Sequence, residues 1–289
     1  APGLKQRRFI SPTSDHYLEL LAASSTSTRH YHKANLGLGI HSLRAVEATS
    51  ITEVVAQAAN RPIHIHISEQ LQEIRDCLTF YKQRPVEWLH NHLDVSDQYH
   101  LVHATHINDT EVSSICKSGA NVVLCPSTEG NLGDGIFPLK SFQKQGGKWS
   151  IGTDSHIGLN PLEELRILDY GQRLTTHQRN QFIANQNGDS GNFAIDMALK
   201  TGRKAMGNQS LPYFKIGDSF DAAIFDADSP LIAASQSKNI LSTVAYSGDR
   251  TNMLGTITDS VWRSKKDTLH SHSTVVAAFI QTMKKLKIR

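Results

Sequence analysis

Five short apolar runs, each closing on polar residues and each followed by a stretch of helical spacing, constrain this chain more than any other feature. Residues 36–44 end on His41 and Arg44, residues 62–69 on His66 and Glu69, and residues 99–106 on His103 and His106. Residues 121–128 end on Ser127 and Thr128, and residues 148–156 on Asp154 and His156. A run such as Pro62-Ile63-His64-Ile65-His66-Ile67 reads as a strand covered on both faces, the habit of parallel sheets. Polar groups at the C-terminal ends of such strands lie where α/β barrels keep their chemistry.

The intervening segments carry helix signals. Ser50-Ile51-Thr52-Glu53 has the spacing of a capping box, and helical periodicity runs over residues 69–81 and 85–93. Residues 108–118 stop at Gly119, residues 138–145 stop at Gly146-Gly147, and residues 161–174 follow the fifth run. Alternating strands and helices of this length predict parallel strands joined by right-handed crossovers, in a barrel or an open sheet. Beyond about residue 175 the texture changes. A polar loop over 185–192 precedes an Ala-rich helix over 193–205, residues 217–226 and 240–246 read as short strands, and a helix over 273–287 closes the chain. The expected division is 1–209, a partial (β/α) barrel, and 210–289, a small β unit with a C-terminal helix.

Composition narrows the function classes. A chain of 289 residues, 39% hydrophobic, has enough apolar material for a full core. A net charge of +3 without a basic stripe gives nucleic acid nothing to grip, and the basic C-terminus suits the end of a helix. No apolar run approaches ~18 residues, so neither a membrane span nor a signal peptide is expected. Three cysteines, Cys77, Cys116 and Cys125, lack metal-finger spacing and point to a reducing cytoplasm. Cys125 reads as a buried filler.

The pair His66 and Glu69 carries the chemistry. A neutral imidazole can ligate a metal, and a carboxylate three residues later, already on the loop, can shuttle protons without ligating. The bland alternative is a half-buried histidine and an acid opening a helix, with Ser68 as N-cap.

The order of these motifs, a strand ending His-x-x-Glu, a strand ending in His, a strand ending in Asp and then Ile216-Gly217-Asp218-Ser219-Phe220-Asp221-Ala222, resembles the amidohydrolase superfamily. The segments 41–46, 64–70, 101–106 and above all 127–138, with Glu163-Glu164-Leu165-Arg166 and 170–174, are similar to the formiminoglutamate deiminases of bacterial histidine degradation. The resemblance implies a metal-dependent (β/α)8-type hydrolase barrel, incomplete here at about strands four to eight, plus part of a small β-sandwich domain. It implies that His66 and Asp154 ligate one divalent metal, zinc, and that Asp154 also serves as base. Glu69 would move protons to the leaving nitrogen, His103 would polarise the reacting centre, and His41 with Arg44 would hold a substrate carboxylate, a match for the guanidinium fork.

The resemblance also implies a departure. The superfamily's first strand bears a His-x-His, and His64-Ile65-His66 fits the fifth strand better, so the expectation is a chain lacking the N-terminal third and holding zinc weakly. The expected partner is a small acidic molecule, with a homodimer left open. Two other functions stay in play: a deaminase or ring hydrolase acting on a purine, pyrimidine or imidazolone, for which Arg44 has no evident use, and a catalytically silent fragment. His64 is expected to pack behind the site, and His106 and His156 to lie beside it or in solvent.

Overall fold

Five parallel strands form one sheet in chain order β1-β2-β3-β4-β5, the arrangement that right-handed strand-helix-strand crossovers produce. The structure, a computed structural model, describes residues 7–31, 33–155, 158–182, 189–208, 214–265 and 272–287. Its contacts divide the chain into two compact units, Ala1–Gln209 and Ser210–Arg289.

In the first unit, helix α1 (Ser14–Thr28) precedes β1 (Leu38–Ile40), α2 (Ala48–Ala56), β2 (Ile63–Ile67), α3 (Leu71–Tyr81) and α4 (Pro85–His92). There follow β3 (Tyr99–His103), α5 (Asp109–Ser118), β4 (Asn121–Leu124), α6 (Pro126–Leu132), α7 (Leu139–Lys144), β5 (Lys148–Ile151), α8 (Pro161–Thr176) and α9 (Ser190–Ala205). Ile63, Ile65, Ile67, Leu101, Val122, Leu124 and Trp149 bury the sheet, and Ile51, Ile74, Leu89, Ile115, Phe142 and Leu165 bury the helices that cover it. This is the α/β architecture of an incomplete barrel.

Local signals set most boundaries. Asn108 caps α5 by accepting the Glu111 amide at 2.9 Å, Glu111 returns the bond to the Asn108 amide at 3.0 Å, and Gly119 ends the helix at φ 78°. The expected capping box at Ser50–Glu53 is not used. Helix α2 starts three residues earlier, its N-cap at the extended Glu47 and not at Ser50, and the Glu53 carboxylate instead accepts a 2.5 Å bond from Ser14 Oγ of α1. Helix α1 itself was not expected; none of its residues is buried, so it lacks the apolar stripe that marks a packed helix. The expected polar loop over 185–192 lies partly outside the described residues, and α9 begins within it at Ser190, capped by Asp189.

The second unit holds an antiparallel sheet of β6 (Ala222–Phe225), β7 (Met253–Thr258) and β8 (Val261–Lys265), with helices α10 (Pro230–Ala233), α11 (Ile240–Ser247) and α12 (His272–Lys287). Residues 240–246 are therefore helical and not a strand. Their β-branched content suggests a strand, but burial of Val244 and Ala245 with Leu241 exposed follows a helix face, and the turn before it is tied by Ser235 Oγ to Thr243 Oγ1 at 2.6 Å. Among the described residues no helix is long and apolar enough to cross a membrane.

One stacked histidine pair, His100 buried and His64 half-buried, predicts that the first unit is sensitive to acid. His100, 1% exposed, stacks on His64 with ring centroids 4.8 Å apart, and its Nδ1 accepts from Asn121 Nδ2 at 3.0 Å. Burial, reinforced by the neighbouring His64 and Lys204 charges, lowers the His100 pKa from 6.5 to about 3, and burial lowers that of His64 as well. Between those values the unfolded chain binds a proton that the folded chain refuses, so stability falls as pH drops from about 6.5 towards about 3, by up to about 1.4 kcal/mol per pH unit for one such group. Urea unfolding at stepped pH values is expected to show this fall, and His100→Gln is expected to flatten it.

Candidate active site

Three of the five parallel strands, β2, β3 and β5, deliver their polar residues to one rim through a sharp turn. Ser68, His103, Ala104 and Asp154 all hold positive φ, at 51°, 70°, 51° and 38°. For residues other than glycine this backbone is strained, and such strain concentrates where a structure fixes functional groups.

Strand β2 carries His66. Its Nδ1 donates to the His41 carbonyl at 2.8 Å, which leaves the Nε2 lone pair open to a metal, 3.7 Å from Asp154 Oδ1. After β2 the chain does not use Ser68 as a cap, and Gln70 occupies the N-cap position of α3. The amides of Ser68 and Glu69 instead donate to the two carboxylate oxygens of Glu73, at 3.0 and 2.9 Å. Glu73 is 2% exposed, and burial raises its pKa against the opposing pull of Arg44 and these amides.

His103, at the end of β3, is fully buried. By register Ile67 pairs with His103, so regular alternation would send its ring to the face opposite His66. The left-handed turn at residues 103 and 104 re-aims it, and the two rings lie 5.7 Å apart. His103 Nδ1 contacts Glu129 Oε1 at 3.3 Å, while Nε2 is buried without a hydrogen-bond partner and faces Glu69 Oε1 at 3.7 Å. Burial lowers the pKa of this ring, but the Glu129 bond and the charges of Glu69, Glu129 and Asp154 outweigh it and raise the net value.

Asp154 follows β5, held between two residues that Thr128 pins: Thr128 Oγ1 donates to the Thr153 carbonyl and accepts from the Ser155 amide, both at 3.2 Å. Donor atoms of His66, His103 and Asp154 all lie within 4.8 Å of one another. Two imidazoles and a carboxylate, each imidazole tethered through its other nitrogen, form a donor set suited to a divalent metal such as zinc.

At the end of β1, His41 Nδ1 lies 2.9 Å from Ser42 Oγ, and its ring sits 5.4 Å from that of His66. Burial, with the positive neighbours His66 and Arg44, lowers the His41 pKa. Arg44, expected as a clamp for substrate, is already engaged: Nη2 bonds to Glu69 Oε2, Nε reaches Ser42 Oγ at 3.3 Å, and Glu73 Oε2 lies 3.8 Å away.

The structure therefore brings together His41, Arg44, His66, Glu69, His103 and Asp154. His64 bonds to the Ala205 carbonyl at 2.9 Å, behind the strand, and His106 ties down the 127–138 loop through the Asp134 carbonyl at 2.7 Å. His156 lies outside the described residues. Cys125 is buried and its thiol pKa is pushed up by burial, as suits a filler. Two residues escaped sequence reasoning. Glu73 and Glu129 are buried acids in the first turns of the helices after β2 and β4, and an acid so close behind a strand was the available signal.

Residues 20–263 match the sequence model of the Amidohydrolase family. The chain belongs to that family. It is 37% identical over 285 residues to formimidoylglutamate deiminase of Pseudomonas aeruginosa, covering 97% of this chain and 62% of that protein. It is 29% identical over 195 residues to a 5-methylthioadenosine/S-adenosylhomocysteine deaminase of Halobacterium salinarum, covering 66% of this chain and 43% of that one. Among solved structures, an amidohydrolase from Brucella melitensis superposes with a TM-score of 0.90 at 33% identity, over 99% of this chain and 62% of the other. The chain thus spans less than two thirds of the length of these relatives.

Because Glu129 both orients His103 and raises its pKa, Glu129→Gln should keep the ring in place, through the amide oxygen, yet let it titrate at lower pH. Nitrogen-15 NMR of the His103 ring is the measurement, and Glu129→Ala should lose the fixed Nδ1–H signal altogether.

Proposed function

We propose that the native protein carrying this sequence is a cytoplasmic, metal-dependent iminohydrolase that converts N-formimino-L-glutamate to N-formyl-L-glutamate and ammonia. The observation that carries this reading is the convergence of His66, His103 and Asp154 beside the Glu69 carboxylate. The choice of substrate is supported by the 37% identity to a formimidoylglutamate deiminase over nearly the whole chain, and by a guanidinium at the rim.

His66 Nε2 and Asp154 Oδ1 would hold the metal, with His103 Nε2 in reach. A divalent ion held there would lower the pKa of a bound water to near neutral. Asp154 takes a proton from the attacking water. Glu69, next in line at the mouth, carries protons to the imino nitrogen, so that water adds to the formimino carbon, the carbon–nitrogen bond breaks and ammonia departs. His103, its Nδ1 fastened to Glu129 at 3.3 Å, would present Nε2 to the charge that develops at the reacting centre. His41 and Arg44 face the substrate's carboxylate end.

Relatives that deaminate 5-methylthioadenosine or S-adenosylhomocysteine supply the second reading, an aminohydrolase for a purine. Ammonia release from formiminoglutamate against 5-methylthioadenosine separates the two, and faster turnover of the nucleoside would overturn the first. Glu69→Gln is expected to lower kcat on the order of 10²- to 10⁴-fold without raising KM.

The assignment of ligands has its own check. In zinc titrations, His66→Gln or Asp154→Asn should weaken binding by more than about 100-fold, and His103→Gln by less than about ten-fold. Equal losses for all three would make His103 a ligand and remove its polarising role.

A further inference from the structure

Arg44 is placed between two acids of unequal freedom. Glu73 is buried and its carboxylate is fastened to the Ser68 and Glu69 amides. The Glu69 side chain accepts one hydrogen bond, from Arg44 Nη2, and its other oxygen stands 3.7 Å from Nε2 of His103, which has no hydrogen-bond partner. A substrate carboxylate arriving at this guanidinium would be the third anion around one cation, and like charges at that range repel. One carboxylate must leave, and Glu69 is the one free to do so. Its backbone would not have to move, because Glu73 goes on holding the amides of residues 68 and 69.

On the reading given above, which this inference rests on and deepens, we propose that Arg44 exchanges partners when substrate binds. In the free enzyme it holds Glu69 Oε2 and leaves Oε1 3.7 Å from His103 Nε2, short of a hydrogen bond. When the α- or γ-carboxylate of an acidic substrate takes the guanidinium, Glu69 swings to His103 and the reacting carbon. Recognition of substrate charge thereby arms the proton carrier. Selectivity for acidic substrates then appears in kcat as well as in KM, whereas a clamp remote from the chemistry would act on KM alone.

The test uses the zinc-loaded native protein and two substrates, formiminoglutamate and N-methylformamidine, which carries the same amidine and no carboxylate, with ammonia release as the readout. Turnover of the carboxylate-free amidine by wild type should rise several-fold when glutarate is added, since free carboxylate can occupy Arg44. Arg44→Ala and Arg44→Gln should turn over the carboxylate-free amidine faster than wild type without glutarate and should not respond to it, while KM for formiminoglutamate rises by about ten-fold or more. Turnover of that amidine unmoved by glutarate in wild type, or equal or slower in both variants, would overturn the exchange. A crystal structure with glutarate gives a readout free of turnover. Arg44 bonded to the ligand and Glu69 turned to His103 is expected; Arg44 still on Glu69 sinks the proposal. Failure to release ammonia from formiminoglutamate would instead count against the proposed substrate, and the glutarate structure would still decide the exchange.

Discussion

The site depends on one buried carboxylate. Glu73 sits in the first turn of α3 and accepts the amides of Ser68 and Glu69, the two residues that leave β2. Those amides have no strand or helix partner there, and a buried amide left unpaired costs about as much as a lost hydrogen bond. With Glu73 in place the chain can hold Ser68 at φ 51°, and that turn sets where Glu69 emerges relative to His66. The same carboxylate lies 3.8 Å from Arg44, so it also helps position the rim's permanent cation.

Electrostatically the rim is acidic at its base. Glu69, Glu73, Glu129 and Asp154 surround two rings and one guanidinium, and the amides of Cys125, Ser68 and Glu69 supply further donors to the buried acids. Buried charges survive when they are paired and hydrogen-bonded. Here every carboxylate meets a ring, a guanidinium or a backbone amide, but the pairings are not equally tight. Glu73 and Glu129 are fixed, while Glu69 and Asp154 each keep an oxygen directed at an imidazole 3.7 Å away. The fixed acids set geometry, and the looser ones face the chemistry.

Much of this was legible from sequence. The strand-end positions of His66, Glu69, His103 and Asp154 follow from short apolar runs that close on polar residues, and Gly119 marks the end of α5 at a place where only a left-handed residue serves. What was not legible has physical causes. Helix α1 turns only a half-buried face inward, made of Ser14, Tyr17, Leu18, Leu21, Ser24, Ser25 and Thr28, and its serines and threonine break up any apolar stripe. Residues 240–246 are short and β-branched, and in so few residues a strand and a helix face look alike until burial separates them. Arg44 reads as an open clamp because sequence shows a residue's charge but not which partner it has found.

His103 shows the deepest limit. Period-two alternation, the rule that made β3 readable at all, assigns its ring to the wrong face, because its register partner Ile67 points into the core. Only the two successive left-handed residues, His103 and Ala104, bring the ring round to His66. Glu129 then secures Nδ1, so the strained conformation leaves Nε2 with a single direction to face. A chain that obeyed strand geometry to the end of β3 would keep His66 and Asp154 but lose the third group, and with it the polar contact to Glu69. The strain at this turn is thus a requirement of the site, because His103 stands one residue past Val102, the position whose side chain shares the face of His66.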